Sequence, residues 1–128
     1  MAKWIAGVVG GLVVWVMLAT GAGLILRAAW PDYVRVADSM EFTLSMKIAR
    51  LAIGALATLA AGLVTSVISR STAAAVTAGA LLLLAFIPEH IALWTKFPVW
   101  YHLTFLLSLV PLSYLGASFF VWNASRRG

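Results

Sequence analysis

Residues 51–69 read LAIGALATLAAGLVTSVIS, an uncharged run that begins right after Arg50 and stops at Arg70. About 20 mostly apolar residues in helical form cross a hydrocarbon core of ~30 Å, so this run predicts a membrane-spanning helix. Within it Gly54, Thr58, Gly62 and Ser66 recur at every fourth position, which places four small side chains on one helix face. Small residues at that interval let helix backbones approach closely where lipid provides no hydrophobic drive between helices. Working outward, three further stretches satisfy the same length rule: Trp4–Leu26, Ala73–Trp94 and Trp100–Trp122. The expected architecture is an all-α integral membrane four-helix bundle, residues 1–128 forming a single transmembrane domain.

Composition supports this reading. Apolar residues make up 63% of the 128 residues and charged residues 10%, too few charges to solvate the surface of a water-soluble domain. The same balance excludes intrinsic disorder, which needs low hydrophobicity and high charge. The net charge of +5 does not indicate a nucleic-acid partner, because Lys and Arg stand singly or in pairs at the ends of apolar runs. The partners expected are the lipid bilayer and either a second copy of the chain or another membrane protein. With no cysteine, disulfides, thiolate metal sites and a cysteine nucleophile are excluded. Phosphate-binding glycine loops and nucleophile-elbow serines are also missing from the sequence.

The connections set the order of packing. Arg70-Ser71-Thr72 joins spans two and three, with Ser71 or Thr72 available as an N-cap, and Thr95–Val99 joins spans three and four. Such short links imply that spans two, three and four are neighbours. The first connection is longer. Trp30-Pro31-Asp32 breaks helix one, and Asp38 with Glu41 three residues on predicts a helix start there. A helix from Asp38 to Ser69 would run ~48 Å, so its first turns are expected as a short interfacial helix preceding the second span. Alternation of Met40, Phe42, Leu44, Met46 and Ile48 mimics a strand, but a lone strand at a membrane would leave its backbone unpaired. Lys3, Arg70, Arg126 and Arg127 on one side nearly balance Arg27, Arg35, Lys47, Arg50 and Lys96 on the other. The expected location is the bacterial inner (cytoplasmic) membrane with both termini cytoplasmic, and dual topology is the alternative.

Helix one adds Gly7 and Gly11, and helix three adds Gly79, to the small-residue faces. These faces serve either packing within one chain or a seam between copies. Unusual polarity gathers on one membrane side: Arg27, Lys47, Arg50, Glu89, His90, Tyr101 and His102. An ionisable group at membrane depth needs a partner, and Glu89 is expected to find Arg50 or His102. Facing histidines on neighbouring helices suit haem or metal ligation, although adjacent Glu89 and His90 point in different directions on a helix. Beyond that haem alternative no cofactor or metal is expected. Phe86, Trp94, Phe97, Trp100, Tyr101 and Phe105, with Trp30 and Tyr33, form an aromatic belt, and Trp4 and Trp122 mark the opposite boundary. Ser108 or Ser113 is expected to help satisfy the backbone near Pro111. The expected function is non-enzymatic action by association, with the polar face as the interaction or ligand site. A small transporter or channel with that cluster at one mouth is the alternative. A haem- or metal-binding protein using His90 and His102 is the third reading.

Overall fold

The structure, a computed structural model, describes the backbone of residues 1–127. The side chains of Trp122 and of residues 124–127 lie outside the described residues, as does Gly128. With them lie the boundary role of Trp122 and the charges of Arg126 and Arg127. Five helices follow one another: α1 (Ala2–Ala29), α2 (Pro31–Ala37), α3 (Leu44–Ser69), α4 (Thr72–Ala92) and α5 (Val99–Arg127). No strand occurs among the described residues, and the four long helices are each long and apolar enough to cross a membrane. The chain is a helical bundle of membrane type.

Local signals explain most boundaries. Pro31 is the first residue of α2, where its missing N–H would have no intrahelical partner anyway. Ser71 caps α4 by accepting from the Ala74 N–H at 3.1 Å. Arg70 ends α3 in a left-handed conformation (φ 58°), which folds the chain back within two residues. The connection before α3 departs from expectation. Asp38 does not start a helix: Asp38–Met40 form a turn with Met40 at φ 60°, and Thr43 is the N-cap of α3, accepting from the Met46 N–H at 3.3 Å. A short helix does precede α3, but it is α2 (Pro31–Ala37), separated from α3 by that turn. The physical reason is Phe42, which is buried by stacking on Tyr33 and Phe97 at centroid distances of 4.9 and 6.0 Å. Burial of that ring prevails over the capping pattern of Asp38 and Glu41.

Close approaches fix the helix directions. A side chain at Gly7 would meet Ser69 and Thr65, and one at Gly11 would meet Thr65 and Ala61, so α1 and α3 run antiparallel. Gly54 lies against Phe105 and Gly62 against Ser113, so α3 and α5 run parallel. Gly79 faces Leu109 and Ser113 while His90 meets His102, which makes α4 antiparallel to α5. The result is an up-down-up-down bundle in which α3 touches each of the other three long helices. Gly7, Gly11, Gly54, Thr58, Gly62, Ser66 and Gly79 are all buried within this one chain. Gly11 makes room for the buried hydroxyl of Thr65, and Gly21 and Gly23 are the exceptions, with nothing within 4 Å of where a Cβ would stand.

The core is layered along the bundle axis. Val8, Ala74 and Ala78 pack at the end that carries the N-terminus. Trp15, Ala57, Ala61, Leu82 and Leu109 fill the middle. Tyr33, Ala37, Phe42, Met46, Phe97 and Tyr101 close the other end as an aromatic cap built from α2, α3, α5 and two connections. Near Pro111 the hydroxyls of Ser108 and Ser113 go to the carbonyls of Phe105 and Leu109, not to Leu107, whose i+4 donor the proline removes.

Candidate functional site

Between the aromatic cap and the middle layer lies a cleft of about 170 Å³. Trp15, Ala19 and Gly23 of α1, Arg50 and Gly54 of α3, Glu89 and His90 of α4, and Tyr101 and Phe105 of α5 contribute to its lining. Gly23 and Ala19 matter by being small, since bulkier residues on α1 would project into this space. Of the seven polar residues singled out from the sequence, four line the cleft: Arg50, Glu89, His90 and Tyr101. His102 is fully buried one step behind, in contact with His90. Arg27 and Lys47 are not brought in, and neither side chain has a hydrogen-bond or ion-pair partner among the described residues.

Arg50 is the most constrained of these. Its Nη1 donates to the Tyr33 hydroxyl at 2.7 Å and its Nε donates to the Tyr101 hydroxyl at 3.1 Å. The guanidinium carbon lies 4.8 Å from the centroid of Phe42 and 5.8 Å from that of Phe97. Two ring faces and two hydroxyls thus hold the group in place through cation–π attraction and hydrogen bonds. None of these neighbours cancels its charge. Arg50 forms no ion pair, and the one salt bridge among the described residues joins Arg35 to Asp32 on exposed α2. A guanidinium carries five N–H donors, so two are used here and three are left. The tyrosine hydroxyls accept from Arg50, and their own hydrogens have no acceptor among the described residues. This end of the cleft is a cluster of donors around one positive charge.

The histidines meet differently from expectation. His90 Nδ1 and His102 Nδ1 are 2.7 Å apart, and His102 Nε2 is 3.2 Å from the carbonyl oxygen of Trp94. A carbonyl only accepts, so His102 Nε2 carries a hydrogen. In the neutral pair His102 Nδ1 is then the acceptor, His90 Nδ1 the donor, and His90 Nε2 is left with a lone pair. Trp94 stacks on His102 at 4.6 Å, and Phe105 stacks on His90 at 4.9 Å. The expected pairing of Glu89 with His102 or Arg50 is not formed: His102 is taken by His90 and Trp94, and Arg50 by two tyrosines. Glu89 is exposed, while His90, its neighbour, turns inward. The Glu89 carboxylate has no hydrogen-bond or ion-pair partner among the described residues. No three of His, Asp and Glu come together to hold a metal among those residues. The direct imidazole contact leaves no space for an ion between the two Nδ1 atoms, since two metal–nitrogen bonds of ~2.0 Å would set them further apart.

Sequence reasoning did not assign site roles to Tyr33, Phe42 or Trp15, and it gave Thr58 a helix-packing role only. Trp15 Nε1 donates to the Thr58 hydroxyl at 3.0 Å, and Thr58 in turn donates to the Gly54 carbonyl at 2.6 Å. A tryptophan in the middle of a span, away from the headgroup level it prefers, was the available signal for an internal partner. No protein-family description matches this chain, and neither a curated protein nor a solved structure is similar to it.

Proposed function

We propose that this chain is a small membrane carrier that takes an anionic group of a small molecule at Arg50, inside the cleft between its helices. The observation that carries this reading is a cationic donor cluster that forms no ion pair, lining a cavity whose wall is largely aromatic and aliphatic and also includes Glu89 and His90. Apolar walls with a few convergent polar groups are the usual make-up of a small-molecule site. A charge kept at membrane depth is a marker of a substrate path. The small-residue faces, which would otherwise speak for assembly, are filled by neighbours within the chain. Action by association, the second reading, keeps the outer face of α1 around Gly21, where nothing packs.

Benzenesulfonate tests the first reading, because it is permanently anionic and does not leak across lipid. The expected result is a raised melting temperature of the detergent-solubilised chain and uptake into proteoliposomes, both lost in Arg50→Gln. No stabilisation by this anion would refute the site, and binding without uptake would refute transport. Native mass spectrometry addresses the second reading, for which a defined multimer of 13.7 kDa subunits is the supporting outcome.

A further inference from the structure

Resting on the cleft reading above, we infer that the ligand is a zwitterion of amino-acid type, with a carboxylate at Arg50 and an ammonium at Glu89. The lining of the cleft carries two sets of groups of opposite chemistry. One offers only donors: three free N–H groups of Arg50 and the hydroxyl hydrogens of Tyr33 and Tyr101. The other offers acceptors: the carboxylate of Glu89 and, in the neutral histidine pair, the lone pair of His90 Nε2. Both charges line the same cavity, and they do not pair with each other.

A carboxylate alone would satisfy Arg50 and leave Glu89 facing a second negative charge. An amine alone would satisfy Glu89 and leave the guanidinium uncompensated. A molecule that carries both groups removes both penalties, and each charge-assisted contact falls where a complementary group already stands. Trp15, Phe86 and Phe105 supply an aromatic wall of the same cavity, with Trp15 and Phe86 tilted at 5.0 Å and Phe86 and Phe105 edge-on at 5.1 Å. That wall suits an apolar side chain. The volume of about 170 Å³ is close to the ~150 Å³ of an apolar cavity that accepts a benzene ring. The inferred class is therefore an α-amino acid with an apolar side chain.

Three matched probes separate the terms: L-phenylalanine, 3-phenylpropionate, which lacks the amine, and 2-phenylethylamine, which lacks the carboxylate. Calorimetric titration of the full chain in nanodiscs, with empty nanodiscs subtracting lipid partitioning, should show phenylalanine binding about tenfold or more tightly than either fragment. Glu89→Gln should weaken phenylalanine and tighten phenylpropionate, which no longer faces a second negative charge, so that the two affinities converge. Glu89 is exposed, so this substitution leaves the packing intact. Phenylpropionate binding as tightly as phenylalanine, with both lost in Arg50→Gln, would overturn the zwitterion while the anion site stands. Phenylethylamine binding as tightly as phenylalanine would overturn the role given to Arg50. No heat from any of the three would overturn the inference, and if benzenesulfonate also fails, the cleft reading falls with it.

Discussion

Gly62→Ala is the sharpest test of how the bundle is packed. A Cβ placed at Gly62 would collide with the carbonyl oxygen of Ser113 and lie 2.8 Å from that residue's carbonyl carbon and Cα. These are backbone atoms of a parallel helix, so no rotamer change relieves the clash. The carbonyl oxygen is the nearest atom, and restoring an ordinary C···O separation of ~3.3 Å requires α3 and α5 to part by roughly 1 Å or more at that level. Gly116 against Leu59 pins the same α3–α5 contact on the adjoining turn, and Gly79 of α4 abuts Ser113 as well, so the strain cannot be passed along the helices. Overpacking of this kind costs about 1–3 kcal/mol, and the better helix propensity of alanine returns up to ~1 kcal/mol. A net loss of about 1–2 kcal/mol is expected in SDS titration of the helical signal. Gly21→Ala is the matched control, because nothing lies within 4 Å of its Cβ position, and it should be neutral or slightly stabilising. Equal stability of Gly62→Ala and Gly21→Ala would refute the α3–α5 register. A change in subunit number instead, seen by native mass spectrometry, would mean that the Gly54–Ser66 face is a seam between copies.

Two further outcomes are expected. Thr58→Val keeps the volume of a fully buried residue but removes the acceptor of the Trp15 N–H, and should lower stability by about 1–3 kcal/mol in the same titration; an unchanged midpoint would show that Trp15 bonds elsewhere. In ¹⁵N NMR of histidine-labelled protein, the neutral pair should show His102 protonated on Nε2 and His90 on Nδ1; both rings protonated on Nε2 would rule out the hydrogen bond between them.

The fold was largely legible because membrane helices announce themselves by length. Four apolar runs of span length predicted the four long helices, and Ser71 marked the start of α4 as a capping residue should. What escaped was the segment between α1 and α3. There two capping patterns compete within a few residues, Asp38 with Glu41 and Thr43 alone, and local chemistry favours the first. The outcome is decided by tertiary burial of Phe42 beneath Arg50 and between Tyr33 and Phe97, contacts that no local pattern encodes.

The site was legible in depth and illegible in rotation. Distance along a span follows from residue count at ~1.5 Å per residue, which is why His90 and His102, on neighbouring helices joined by a short connection, come to one level and meet there. Which face each residue presents to which neighbour depends on how the helices are rotated against one another, and that is set by the glycine contacts further along the same face of α3. Gly54 and Gly62 seat α3 against α5 so that Arg50, one turn before Gly54, comes level with Tyr101. The partner of Arg50 is thus a consequence of small residues elsewhere on its own helix. A carboxylate was the natural expectation for a membrane arginine, and a pair of tyrosine hydroxyls is the finding. That difference carries the functional argument: a carboxylate would have neutralised Arg50, whereas hydroxyls position it and leave its charge free for a ligand.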